Sequence, residues 1–350
     1  MAEPIGWRDV LDRGVVIPAC PLALTAERRF DERRQRALLR YYMAAGVGGV
    51  AVGVHATQFA IRDPEHDLLR PVLELAADEM ARATAPLVHI AGVCGRTHRA
   101  VIEATLARDL GYHAGLVSLG ALAGAGEDEL IGHCCAVADV IPVIGFYLQP
   151  AVGGCELPYG FWRRFAEIEA VVAVKIAPFD RYRTIDVVRA VAEAGRDDIA
   201  LYTGNDDSII TDLLTPFRFE VGGRTVERRI VGGLLGHWGV WTAKAVEQLQ
   251  RCHDVVEAGD AIPPEMLRLA VEVTDANGAV FDAAGGFAGC LPGVHEVLRR
   301  QGLFEGTWCF DADETLSPGQ ADEIDRVIRA YPHLVDDDFV AAHLDEWLGG

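Results

Sequence analysis

The chain has 350 residues, 50% of them apolar and 24% charged, the composition of a globular protein with one large domain or two ordinary ones. Its formal charge of −20 repels phosphate, which excludes nucleic acid and anionic membrane surfaces as expected partners. No uncharged apolar run reaches membrane-spanning length, and the opening MAEPIGWRDVLDRG lacks the basic flank and apolar core of a secretory leader, so a soluble cytoplasmic protein is expected.

In chain order, short apolar runs alternate with longer amphipathic ones. The predicted strands cover 14–20, 48–54, 86–92, 113–119, 142–148, 171–177, 199–204 and 230–236. Helical patterns lie between them. One spans 30–46, with Asp31 as N-cap and Gly46 as its stop; another spans 63–84. Continuous apolar strands separated by helices imply parallel strands buried on both faces, and eight of them close a (β/α)8 barrel. The expected fold class is therefore α/β, a TIM barrel over residues 1–258 with a C-terminal helical extension over 259–350. Residues 216–229 alternate about Gly222-Gly223 and read as a β-hairpin insertion on the barrel face away from the catalytic loops. The extension carries helix patterns at 291–303 and 318–331.

Several familiar chemistries are disfavoured. GVGGVA at 46–51 satisfies a dinucleotide-binding pattern but ends a helix and enters a strand, the reverse of what phosphate binding requires. The eight cysteines contain no C-x-x-C pair, the eleven histidines no H-E-x-x-H, and GLVSLG around Ser118 lacks the glycine that a nucleophile elbow needs. No metal and no organic cofactor is expected.

One residue breaks the pattern of its strand. In EAVVAVKIAPFD, Lys175 follows the apolar run 170–174, where a buried parallel strand should carry no charge. Lysine is rare here: Lys175 and Lys244 are the two in the chain, and every other basic residue is arginine. In a barrel, chemistry sits at the C-terminal ends of the strands, where Lys175 lies. An amine lowered in pKa by burial can attack a carbonyl and form a Schiff base; a guanidinium cannot. The alternative is a lysine that reaches out of the strand end or pairs with a carboxylate such as Asp180. Tyr147, in PVIGFYLQPAVGG, sits near the end of the preceding strand, where a phenol could shuttle protons or simply fill the core.

Tyr147 and Lys175 at this spacing resemble the dihydrodipicolinate synthase / N-acetylneuraminate lyase family. Supporting landmarks are AGVGGVAVGVHATQF (45–59), where the family has a G-T-T-G-E turn, and YTGNDD (202–207), similar to its S-G-x-D turn. PGVHEVLRRQGLFEG is similar to its C-terminal helix. The resemblance implies a class I aldolase, lyase or dehydratase in which Lys175 forms a Schiff base with a pyruvate-type 2-oxo acid and Tyr147 shuttles protons. It further implies that His55, Ala56 and Thr57 hold the substrate carboxylate and that Gly204 and Asn205 line the pocket. A homo-oligomer, dimer or tetramer, is implied too. The departures are specific. The family's two threonines are Val54 and His55, and its glutamate is Thr57. The tyrosine that a neighbouring subunit contributes has no counterpart in SLGALAGAG, and the arginine after the strand-five tyrosine corresponds to Val152. Dihydrodipicolinate synthesis itself is therefore not expected. A sugar-acid dehydratase and a barrel that binds 2-oxo acids without turnover stand as alternatives, and His55 is either an acid–base group or a shaper of its turn.

Overall fold

The computed structural model describes residues 6–349, so the first five residues of the opening stretch lie outside it. Seven parallel strands come first: β1 (Val16–Pro18), β2 (Gly49–Val52), β3 (Val88–Val93), β4 (Ala114–Val117), β5 (Val143–Leu148), β6 (Val171–Ala177) and β7 (Ala200–Thr203). An antiparallel pair, β8 (Phe217–Val221) and β9 (Arg224–Arg228), precedes β10 (Gly232–Leu235). The large sheet runs β1-β10-β7-β6-β5-β4-β3-β2, all parallel. A parallel bridge from Ala19 to Ala51 brings its two edges together. This is the predicted (β/α)8 barrel, with β10 as the eighth barrel strand.

The strands are read by the alternation of their side chains. Ile17, Ile90, Leu116, Ile144, Phe146, Ala173 and Leu234 belong to one buried cluster, the barrel interior. The intervening residues, such as Val143, Val174, Ile176 and Leu201, pack outward against the helices. Trp162, Phe161 and Phe165, from the helix Tyr159–Phe165, are almost fully buried in that outer layer.

The helix predicted at 30–46 forms over Glu32–Ala45. The Asp31 side chain accepts from the Arg34 amide (3.0 Å), and Gly46 closes the helix at a φ of 86°. The helix predicted over 63–84 is shorter, Leu69–Met80. Its leading residues instead form a turn in which the Asp63 carbonyl accepts from the amides of His66 (3.0 Å) and Asp67 (2.8 Å).

Both ends of the barrel are covered. The helix Trp7–Arg13 lies at the N-terminal end: the inward Tyr202 hydroxyl donates to the Leu11 carbonyl (2.6 Å), and Trp7 stacks on His113 at 5.4 Å. The β8–β9 hairpin is attached at the same end, where Arg228 donates to the Ile199 carbonyl (2.7 Å) just before β7. The C-terminal helices Pro264–Val280, Cys290–Arg300 and Gln320–Ala330 cover the other end. The buried Gln320 amide fastens them by donating to the carbonyls of Val280 (3.1 Å) and Gly289 (2.9 Å).

Candidate active site

Lys175 is 7% exposed and points into the barrel, with the same parity as Ala173 and Ala177. In register it stands between Phe146 on β5 and Tyr202 on β7, and its Nζ lies 4.4 Å from the centre of the Phe146 ring. Burial draws its pKa below the ordinary lysine range; the nearby Asp206 carboxylate opposes that shift. Lys175 is thus a buried amine at the mouth of the barrel, and the carboxylate whose charge acts on it across the cavity is Asp206 rather than Asp180. Asp180 instead caps the helix Arg181–Glu193.

Asp206 is the site residue that sequence reasoning passed over. It is 6% exposed, lines the same cavity as Lys175, and accepts from the His237 amide (2.8 Å). Burial raises its pKa well above the usual carboxylate value, against the pull of that hydrogen bond and of Lys175. The signal was present in the turn TGND, which carries an aspartate two residues after Gly204.

The turn after β2 is a short 3-10 segment, His55–Thr57. His55 and Ala56 line the cavity, and neither of their amides donates a hydrogen bond among the described residues. Thr57 faces away: its hydroxyl donates to the Cys20 carbonyl (2.7 Å) and accepts from the Gly53 amide (3.0 Å), which holds the turn shut from behind. Arg62, paired with the buried Glu103 (3.0 Å), donates to the Gly53 carbonyl (2.9 Å) and steadies the same turn. Burial, reinforced by Lys175, pushes the His55 imidazole down to about 4, so it is neutral near pH 7.

Besides Thr57, two predicted residues lie elsewhere. Asn205 is 2% exposed and serves the loops: its amide donates to Asp212 (3.0 Å) and Thr184 (3.1 Å), and its oxygen accepts from the Phe179 amide (3.0 Å). Tyr147 points outward. Its ring lies 5.5 Å from Trp162, and its hydroxyl accepts from the Leu157 amide (3.3 Å) in the layer between sheet and helices. β5 alternates without a break: Ile144, Phe146 and Leu148 face the interior, so Tyr147 faces the helices. Val143 pairs with Val171 but Ile144 with Ala173, and from there Phe146, not Tyr147, is opposite Lys175. The extra residue is Val172 in β6, and it turns Lys175 to the face opposite Tyr147. Phe146 thus fills the place beside the amine that the resemblance gave to the tyrosine.

The cavity that joins Lys175, Asp206, His55 and Gly204 measures about 70 Å³. Its walls continue upward as Leu148, Val152, Phe179, Phe281, Phe287, Leu291 and Val294, the last four from the C-terminal extension. Among the described residues no three His, Cys, Asp or Glu side chains converge as metal ligands do. No helix among them is long and apolar enough to cross a membrane.

The chain thus forms a (β/α)8 barrel with an inward lysine and a buried carboxylate at the C-terminal end of its strands, the end where such barrels carry their active sites. The chain is a member of the dihydrodipicolinate synthetase family, whose sequence model matches residues 13–226; these are lyases of the class I aldolase type. Solved structures agree on the fold. The N-acetylneuraminate lyase of Fusobacterium nucleatum superposes with a TM-score of 0.71 at 16% identity, covering 91% of this chain and 99% of that one. The dihydrodipicolinate synthase of Aquifex aeolicus gives 0.71 at 18% identity, covering 92% and 99%. A prophage protein of the dihydrodipicolinic acid synthase family from E. coli K12, solved in complex with pyruvate, gives 0.72 at 18% identity, covering 91% and 98%. No curated protein sequence matches significantly.

Proposed function

We propose that the protein is a Schiff-base lyase or aldolase acting on a pyruvate-type 2-oxo acid through Lys175. The observation that carries this reading is the buried amine beside the Asp206 carboxylate in an otherwise apolar cavity. Neutral Lys175 attacks C2 of the 2-oxo acid, and loss of water leaves an iminium. In the cleavage direction the C3–C4 electron pair flows into that iminium while the C4 hydroxyl proton passes to Asp206, and an aldehyde departs. Protonation of the enamine at C3 and hydrolysis then release pyruvate and the free amine. Asp206 suits the proton transfer because burial brings its pKa toward neutrality, where general acids and bases work best. The free amides of His55 and Ala56 are positioned to bind the substrate carboxylate, with the neutral His55 ring beside it. No proton transfer is assigned to Tyr147, whose hydroxyl faces the helix layer.

Val152, where the resemblance has an arginine, is part of the cavity wall, which argues against an acidic second substrate and so against dihydrodipicolinate synthesis. A cytoplasmic setting belongs to the same reading, since the eight cysteines are all unpaired, as a reducing compartment keeps them. The reading is tested by turnover of 4-hydroxy-2-oxo acids, followed as pyruvate release, in the wild type and in Lys175→Arg. The arginine keeps the charge but cannot form the imine, so activity should vanish; wild-type turnover in that variant would contradict the assignment.

A further inference from the structure

Two phenylalanines of the cavity wall have backbone conformations that bulky residues rarely adopt. Phe179, just after β6, has a φ of 51°, and Phe287, in the C-terminal extension, a φ of 69°. A bulky side chain is strained in this region and persists only where the surroundings enforce it. Here they do. The Phe179 amide donates to the Oδ1 of buried Asn205 (3.0 Å). The Phe287 turn is held by Asp282, whose carbonyl accepts from the Phe287 amide (2.9 Å) and whose carboxylate accepts from the amide of Gly289 (3.0 Å) and the hydroxyl of Ser317 (2.5 Å). The two rings meet edge to face, 5.9 Å between centres, one from the barrel and one from the extension.

Around this pair the wall above the lysine is hydrocarbon. Val152, Phe281, Leu291 and Val294 complete it, and the polar side chains of the cavity, His55, Gln149, Lys175 and Asp206, include no arginine. Among the described side chains a polyhydroxylated substituent would find only Gln149 and the His55 ring as partners beyond the reacting groups, and each hydroxyl left unpaired in this wall weakens binding. The space is also limited. At about 70 Å³ the cavity suits a 2-oxo acid with a short extension better than one with a long chain.

We propose that the fragment carried at C4 of the substrate, and released as the aldehyde, is short and apolar, recognised by the Phe179–Phe287 pair and the aliphatic wall around it. This rests on the lyase reading above and specifies its second substrate: the bond formed or broken joins C3 of pyruvate to the carbonyl carbon of an alkyl aldehyde. In the synthetic direction the enamine attacks that carbon, the aldehyde oxygen takes a proton from Asp206, and hydrolysis of the iminium frees a 4-hydroxy-2-oxo acid.

The test sets pyruvate with size-matched aldehydes, propanal against glycolaldehyde and 2-methylbutanal against glyceraldehyde, with aspartate semialdehyde as the charged member. The 4-hydroxy-2-oxo acid product is read by mass spectrometry. The alkyl aldehydes should exceed their hydroxylated partners in kcat/KM by about tenfold or more, within the range by which an apolar pocket rejects a hydroxyl in place of a methyl. Phe179→Asn and Phe287→Asn, which introduce a residue that tolerates a left-handed backbone, should shrink that preference mainly through the KM of the aldehyde. Preference for the hydroxylated or charged aldehydes, with pyruvate still trapped by borohydride on Lys175, overturns this inference and leaves the lyase reading standing. Absence of both trapping and turnover removes the lyase reading and the inference with it.

Discussion

A β-carbon placed on Gly204 would lie 2.6 Å from Cε of Lys175 and 2.7 Å from Cβ of Ala177, so the lysine stem occupies space that only a glycine leaves open. The constraint is one of volume, because Gly204 lies outside the positive-φ set. Gly204→Ala should therefore displace the amine rather than unfold the barrel. We expect imine formation with pyruvate to slow by at least about tenfold, in line with the cost of misplacing a reacting group, with a thermal midpoint within a few degrees of wild type. Unchanged imine kinetics would show that the lysine has room to spare.

Asp206 bears on both the proton transfer and the state of the amine. Its carboxylate raises the pKa of Lys175 against the effect of burial, so removing its charge should lower that pKa further. Imine formation needs the neutral amine and rises with pH through the lysine pKa. In wild type its midpoint should fall below the ordinary value of about 10.4, and in Asp206→Asn it should move to still lower pH. Turnover in that variant should drop by roughly 100-fold or more through loss of the proton acceptor. A midpoint that moves upward, or turnover that survives, contradicts the pairing.

Tyr147 offers the sharpest contrast between spacing and structure. Its hydroxyl accepts one hydrogen bond, from the Leu157 amide, in the layer behind the sheet. Tyr147→Phe should cost about 1 kcal/mol of stability or less and leave kcat within a few-fold of wild type. A loss of roughly 100-fold in kcat, with the fold intact by circular dichroism, would require the tyrosine to reach the lysine.

The barrel itself was legible because it rests on long-range periodicity. Eight apolar runs at helix-length intervals leave little else to build, and all eight strands form within their predicted spans, apart from one residue at the end of β3. Lys175 was legible for a related reason, since a charge within an apolar strand is conspicuous whatever surrounds it. Tyr147 was misread because two residues near strand ends share a face only when the pairing between their strands is regular, and the extra residue Val172 in β6 puts Lys175 opposite Phe146 instead, which no count of residues reveals. Thr57 and Asn205 share the segments of true lining residues, yet their side chains satisfy buried backbone and carboxylate groups instead. Asp206 was hidden by its setting: an aspartate in a Gly-Asn-Asp-Asp turn reads as exposed until the C-terminal helices are folded over it. The connection between two of those helices contributes Phe281 and Phe287, whose place above the lysine depends on contacts between segments far apart in the chain.

Incubation with pyruvate followed by borohydride reduction and peptide mass mapping tests the central claim most directly. The chain has two lysines, and Lys244 is ion-paired with Glu247 (2.9 Å) on a helix at the surface, which makes it an internal control. A reduced pyruvyl adduct on the peptide that contains Lys175, and not on the one that contains Lys244, is the predicted result. Modification of Lys244 in its place, or of neither lysine at saturating pyruvate, would contradict Schiff-base chemistry at this site.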